Sequence, residues 1–156
     1  MVAMILVERI IQGYRVQVTG YRLRKRRYGG DLAIARIESH RDLLVWQKGM
    51  DLVQQVYALT VRFPADERFR LVNQTTRAAV SIPANLAEGH ARGTRREYAH
   101  FVAIARGSLM ELETYVMIVS RLGYASEAQL QPSRLLITEL SRMLTALRNR
   151  LIEHRT

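Results

Sequence analysis

The sequence predicts an all-α protein: an antiparallel, up-down-up-down four-helix bundle with a basic N-terminal extension. Three observations carry this expectation. From residue 42 onward, apolar residues recur at steps of three and four in four successive segments, which is the period of a helix. The connections between these segments are short, and short connections set consecutive helices antiparallel. The chain has 156 residues, of which 48% are hydrophobic and none is cysteine. That length buries a single core without disulfides or thiolate metal sites. The expected division is residues 1–38 for the extension and 39–156 for the bundle domain.

The extension opens Met1-Val2-Ala3-Met4-Ile5-Leu6-Val7, but Glu8 and Arg9 interrupt the run before it takes signal-peptide form. No stretch approaches the ~20 apolar residues of a membrane span. Together with the absence of cysteine, this leads to an expected cytoplasmic location. Tyr14, Val16 and Val18 alternate with polar residues as in a strand, Gly20 offers a turn, and Tyr21 and Leu23 alternate back. Arg24-Lys25-Arg26-Arg27 lies between Tyr21 and Tyr28, a pattern that grips phosphates while aromatics stack on bases. The competing readings are a solvated arm and a stretch ahead of the natural start. Gly29-Gly30 marks the expected boundary, and the extension is expected to pack little on the bundle.

The first helix carries Val45, Gly49, Leu52, Val56, Leu59 and Phe63 on one stripe, with Trp46, Met50, Val53, Tyr57 and Thr60 beside it. Two adjacent stripes make a broad face suited to a bundle, and Phe63-Pro64 ends the helix. Asp66 is the expected N-cap of the second helix. Val72, Thr76, Ala79, Ile82 and Leu86 form its face, Pro83 imposes a kink or break, and Gly89 is the expected stop before a loop through Gly93. Thr94-Arg95-Arg96-Glu97 is a capping box opening the third helix. That helix presents Tyr98, Phe101, Ala105, Ser108, Leu112, Tyr115, Val119 and Leu122, and Gly123 closes it. Small Ala105, Gly107 and Ser108 point to close helix contact. Ser126-Glu127-Ala128-Gln129 is a second capping box, but Pro132 sits too deep for a first turn. Either the fourth helix begins near Pro132 or residues 126–131 form a separate turn. Leu136, Leu140, Met143, Leu147 and Leu151 carry its core stripe.

Charge supplies the functional hint. There are 24 Lys and Arg against 14 Asp and Glu, a net charge of +10, and the pI is near 10.8. Only Lys25 and Lys48 are lysines. Codon bias explains an arginine preference but not the net excess, which points to a polyanion such as RNA or DNA. Residues 1–38 hold eight cations against Glu8, Asp31 and Glu38. In the bundle, Arg92, Arg95 and Arg96, with His90, gather at the loop between the second and third helices. Arg142, Arg148, Arg150 and Arg155 lie along the last helix. The candidate nucleic-acid contacts are therefore Arg92, Arg95, Arg96, Arg142, Arg148, Arg150 and the run Arg24, Lys25, Arg26 and Arg27.

Catalytic and metal readings find no support. No Gly-rich phosphate loop is present, and Gly107-Ser108 lies within helical periodicity, not in a nucleophile elbow. Glu97-Tyr98-Ala99-His100 matches half of the paired Glu-x-x-His motif of di-metal bundles. However, Glu88, Glu111, Glu113 and Glu139 lack a histidine three residues on. His40, His90, His100 and His154 follow no metal-ligand spacing. The expectation is a protein with no catalytic residues, no metal and no cofactor.

Several segments carry a family resemblance. They are Asp42-Leu43-Leu44-Val45-Trp46-Gln47-Lys48-Gly49; Tyr57-Ala58-Leu59-Thr60 with Phe63-Pro64; Arg77-Ala78-Ala79-Val80-Ser81-Ile82-Pro83-Ala84-Asn85-Leu86-Ala87-Glu88-Gly89; the segment from Ala105 to Thr114; and Arg121-Leu122-Gly123-Tyr124. Over about residues 40–152 the chain resembles the bacterial four-helix-bundle proteins encoded in intervening sequences of large-subunit ribosomal RNA genes. Pro132 is atypical of that family's last helix. The resemblance implies a bundle that assembles into a ring-shaped homopentamer. It also implies kinship to the accessory proteins of diversity-generating retroelements, which are basic and bind a reverse transcriptase and nucleic acid. No catalytic residue carries over. The expected function is a non-enzymatic, homo-oligomeric nucleic-acid-binding or ribonucleoprotein accessory module. The alternative is a protein–protein scaffold with no nucleic-acid role. Asn85 and Glu88, beside Pro83, are expected to serve structure, either by bonding carbonyls that the proline leaves free or at a contact between subunits.

Overall fold

The computed structural model describes residues 21–23, 34–36 and 39–153. Its helices are α1 (Leu44–Thr60), α2 (Leu71–Ala91), α3 (Arg95–Arg121) and α4 (Glu127–Glu153). α1 packs on α2 and α4, and α3 packs on the same two helices, which closes an antiparallel four-helix bundle. The short strands β1 (Tyr21–Leu23) and β2 (Ile34–Arg36) pair antiparallel, with Tyr21 opposite Arg36 and Leu23 opposite Ile34. The partner found for Tyr21–Leu23 is therefore β2. Tyr14, Val16, Val18 and Gly20, expected to form the other arm of a hairpin, lie outside the described residues, as do Gly29-Gly30.

The α1 stripe is buried as its spacing requires, from Val45 through Leu52 and Val56 to Leu59; the helix ends at Thr60, ahead of the expected Phe63, which is buried beyond it. On the stripe beside it, Trp46 and Val53 are half-buried while Met50 and Tyr57 are exposed. Ser39 forms a capping box with Asp42 at the 3-10 turn His40–Asp42, just ahead of α1.

Asp66 does not cap α2. It belongs to the 3-10 turn Ala65–Glu67, and the Glu67 carboxylate accepts from the Leu71 amide at 3.2 Å. A carboxylate reaching the first turn satisfies a free N–H without an N-cap side chain. Thr75, not Thr76, is the fully buried threonine of α2, and its hydroxyl donates to the Leu71 carbonyl at 2.6 Å.

Pro83 does not break α2, which runs unbroken from Leu71 to Ala91. Pro83 is buried, and two residues later Asn85 donates from Nδ2 to the Ser81 carbonyl at 2.7 Å and to Ser81 Oγ at 2.9 Å. Ser81 Oγ in turn lies 2.9 Å from Ser108 Oγ on α3. A side-chain amide next to the proline stitches the weakened turn and ties it to the neighbouring helix.

Gly89 is not the stop of α2 either. It is buried within the helix, and a Cβ there would lie 2.5 Å from Phe101 Cβ and 2.9 Å from Tyr98 Cδ2. It is glycine because α3 crosses there at closest approach. The left-handed residue after the helix is Gly93, at φ +78°.

On α3 the core falls one residue later than the expected stripe. Val102, Leu109 and Val116 are buried beside Ala105, Leu112 and Val119, while Phe101, Ser108 and Tyr115 sit half-buried at the rim and Leu122 is exposed. Each fully buried Leu contributes about 1.5–3 kcal/mol. The helix ends in a Schellman motif: Gly123 N–H bonds the Ser120 carbonyl, Tyr124 N–H bonds that of Val119, and Gly123 has φ +70°.

A Cβ added at Gly107 would meet none of the described residues within 4 Å. Gly107→Ala is therefore expected to raise stability by about 0.5–1 kcal/mol through helix propensity alone. A thermal melt that shows no gain would contradict this.

α4 neither starts at Pro132 nor is preceded by a separate turn; it is continuous from Glu127, with Pro132 exposed inside it. The first turn is held from several sides. Gln129 Oε1 accepts from the Ser126 amide at 2.8 Å, Leu130 is fully buried, and the Glu127 carboxylate takes bonds from Ser120 and Arg134. These contacts outweigh the missing donor of a single proline.

Candidate nucleic-acid interface

The antiparallel layout brings four helix ends to one end of the bundle: the starts of α1 and α3 and the finishes of α2 and α4. Thr94 caps α3, its Oγ accepting from the Glu97 amide at 3.2 Å and donating to the Glu97 carboxylate at 2.7 Å. The expected reciprocal bond thus runs between the two side chains. With α3 so fixed, Arg95 reaches across to α4 and donates from Nη2 to the Arg150 carbonyl at 3.1 Å, a contact over 55 residues of sequence. That carbonyl belongs to the last turn of α4, where carbonyls lack helical partners and the macrodipole favours a cation.

One donor of Arg95 is used in this way, and the rest of its guanidinium faces outward. Arg96 is exposed on the same turn, and Arg148 and Arg150 are half-exposed on the last turns of α4. The two clusters that the sequence shows as separate therefore lie at the same end of the bundle.

Not every candidate joins it equally. Arg92 is paired with Glu88 and its guanidinium lies 5.3 Å from the centre of the Phe101 ring. The bond and charge of Glu88 hold it even more firmly protonated than an ordinary arginine. Glu88 thus has an intrahelical structural partner. Arg142 is exposed but stands two turns before Arg150, about 12 Å along the helix. Arg24, Lys25, Arg26, Arg27 and Arg155 lie outside the described residues.

The structure also brings further groups to this end, of which Arg41 is one the sequence did not single out. The 3-10 turn places His40 and exposed Arg41 at this end, and the His40 ring lies 5.2 Å from Trp46 and 6.3 Å from His90. His90 in turn meets the Tyr98 ring edge-on at 5.9 Å. Burial pushes the Tyr98 phenol well above its usual pKa, and its hydroxyl finds no hydrogen-bond partner among the described residues. Lys48 joins α1 to α4 through Glu139 at 3.2 Å. The floor of the surface is thus an aromatic cluster, and its rim is arginine.

Among the described residues, no group of three or more His, Asp or Glu is placed to hold a metal ion. No described helix is long and apolar enough to cross a membrane.

Comparisons agree with this architecture. A crystal structure of a protein of unknown function from the S23 ribosomal protein family of Bacteroides thetaiotaomicron superposes with a TM-score of 0.64 at 21% identity, covering 70% of this chain and 98% of that one. At that identity the likeness speaks for the fold. No curated protein matches the chain. The family described as 23S rRNA-intervening sequence protein matches residues 41–146, from the turn before α1 to the last turns of α4. The match covers well over half of the sequence, and the chain belongs to the 23S rRNA-intervening sequence protein family.

Proposed function

We propose that the protein is a non-enzymatic, homo-oligomeric bundle that binds nucleic acid through the arginine end, largely without sequence preference. The observation that supports this reading is the bond from Arg95 to the Arg150 carbonyl, which brings the start of α3 beside the end of α4 and their arginines to the same end. Guanidinium forks grip phosphate with paired bonds, and Arg95, Arg96, Arg148 and Arg150 stand at one end, where none of the ion pairs among the described residues involves them, in contrast to Arg92. An rRNA-associated family is in keeping with an RNA partner. The test is binding to duplex RNA, duplex DNA and heparin across a salt series. Affinity is expected to fall linearly on logarithmic axes, with a slope of about −0.9 per neutralised duplex phosphate. Undetectable binding at low salt would leave a protein–protein scaffold, and salt-independent binding would also count against phosphate contact.

The scaffold alternative and the homo-oligomer share one observation. The outer face of α3 exposes Ile104, Met110, Met117 and Ile118 around the open position of Gly107. Met50 and Tyr57 are exposed on α1 as well. A run of apolar side chains on one helix exterior marks a covered surface, here assigned to further copies of the chain and, as the family resemblance implies, to a pentamer. Light scattering is expected to give a multiple of 18.0 kDa. Met110→Glu with Met117→Glu is expected to reduce it to the monomer with the helical content intact. A monomeric wild-type chain at micromolar concentration would refute the assembly.

A further inference from the structure

The opposite end of the bundle carries an aromatic that the core does not use. Between the 3-10 turn Ala65–Glu67 and α2, the chain runs Arg68-Phe69-Arg70. Phe63 is buried against Tyr124, with ring centres 6.0 Å apart. Phe69, six residues on, is 82% exposed. The Arg68 guanidinium sits 5.7 Å from the Phe69 ring centre, an aromatic face bearing a cation.

The neighbouring charges are arranged in the same sense. Glu67 is turned toward the bundle, where its carboxylate receives the Leu71 amide and the Tyr124 hydroxyl, each at 3.2 Å. Arg62, Arg68 and Arg70 are exposed, and none of the ion pairs among the described residues involves them. Asp66 is the other acid between residues 61 and 70. An open aromatic ring set among unpaired arginines meets the two requirements of a single-stranded nucleic acid: a face for a base and cations for the flanking phosphates.

We propose that Arg62, Arg68, Phe69 and Arg70 form a second contact, specific for unpaired nucleic acid, in which a base stacks on the Phe69 ring. The inference rests on the reading of the protein as a nucleic-acid binder and adds which form of the polymer this end takes. A base inside a duplex has no free face to offer, whereas an unpaired base does. α3 spans the distance between the two ends, and its 27 residues make that about 40 Å. The two contacts are therefore separable.

The test compares oligouridylate with a duplex RNA of equal phosphate number by filter binding, using the full chain. Phe69→Ala is expected to weaken oligouridylate binding about tenfold, leave duplex binding and the salt slope unchanged, and be rescued by Phe69→Trp. Because Phe69 is exposed, the melting temperature should be unchanged in both variants. If duplex RNA binds but Phe69→Ala leaves oligouridylate affinity unchanged, this contact is refuted and the arginine end stands. If neither polymer binds the wild-type chain at low salt, both readings fall. If Phe69→Ala lowers the assembled mass in light scattering, the ring covers a neighbouring copy and the proposal is overturned.

Discussion

Gly89→Ala is expected to destabilise the bundle by about 1–3 kcal/mol, the usual cost of overpacking a filled core. Helix propensity alone predicts the reverse, since alanine exceeds glycine by about 1 kcal/mol within a helix. Geometry decides the sign. The added methyl group would stand 2.5 Å from Phe101 Cβ, an atom fixed close to the α3 backbone, so no rotamer change relieves it. The helices must part where α2 and α3 pack, and that displaces the start of α3 that carries Arg95 and Arg96. Thermal unfolding is expected to shift down by about 3–10 °C. An unchanged or higher midpoint would show that the helices separate freely. Gly107→Ala, on the same pair of helices, supplies the control of opposite sign.

The larger effect on function is expected from replacing Arg95, Arg96, Arg148 and Arg150 together with Gln. If each meets one phosphate, the salt slope for duplex RNA falls by about 3–4 units and binding to every sequence weakens alike. Arg92→Gln is the informative contrast. Its side chain already serves Glu88 and the Phe101 ring, so its loss is expected to change the slope by less than one unit. Arg95→Gln also removes a cation from the last turn of α4, at a cost of about 0.3–1 kcal/mol. The fold survives because Thr94 still caps α3. A four-fold variant that unfolds at the wild-type midpoint and binds with the wild-type slope would remove the arginine end from consideration.

The bundle was legible in the sequence wherever one short-range rule acted alone. The α1 stripe, the Thr94 cap and the Gly123 stop are each local patterns, and each stands where its spacing places it. The misreadings arose where two rules competed for one residue. Glycine commonly ends helices, yet at Gly89 its value is the absence of a Cβ facing Phe101. On α3, aromatics at Tyr98, Phe101 and Tyr115 drew the expected stripe to the rim. Their rings are long enough to cover the core edge, and the Tyr115 hydroxyl reaches outward to Glu111. Val102, Leu109 and Val116 line the interior instead. Pro83 and Pro132 each cost one backbone donor, while the Asn85–Ser81 bonds in α2 and the contacts of Leu130 and Glu127 in α4 hold the helix on either side of it. The candidate site was legible as clusters but not as groups at one end of the bundle. Arg95 and Arg150 meet only through the packing of α3 on α4, and Arg41 belongs to no cluster in the sequence.

The placement of Trp46 has a practical consequence. It is the single tryptophan of the chain, half-buried beside His40 at the arginine end. Its emission, excited at wavelengths where tyrosine does not absorb, therefore arises from that end alone. Its intensity follows the approach of any solute to its neighbours. Phe69, at the far end, is silent in this signal. The molecule thus carries an optical label that separates events at its two ends without chemical modification.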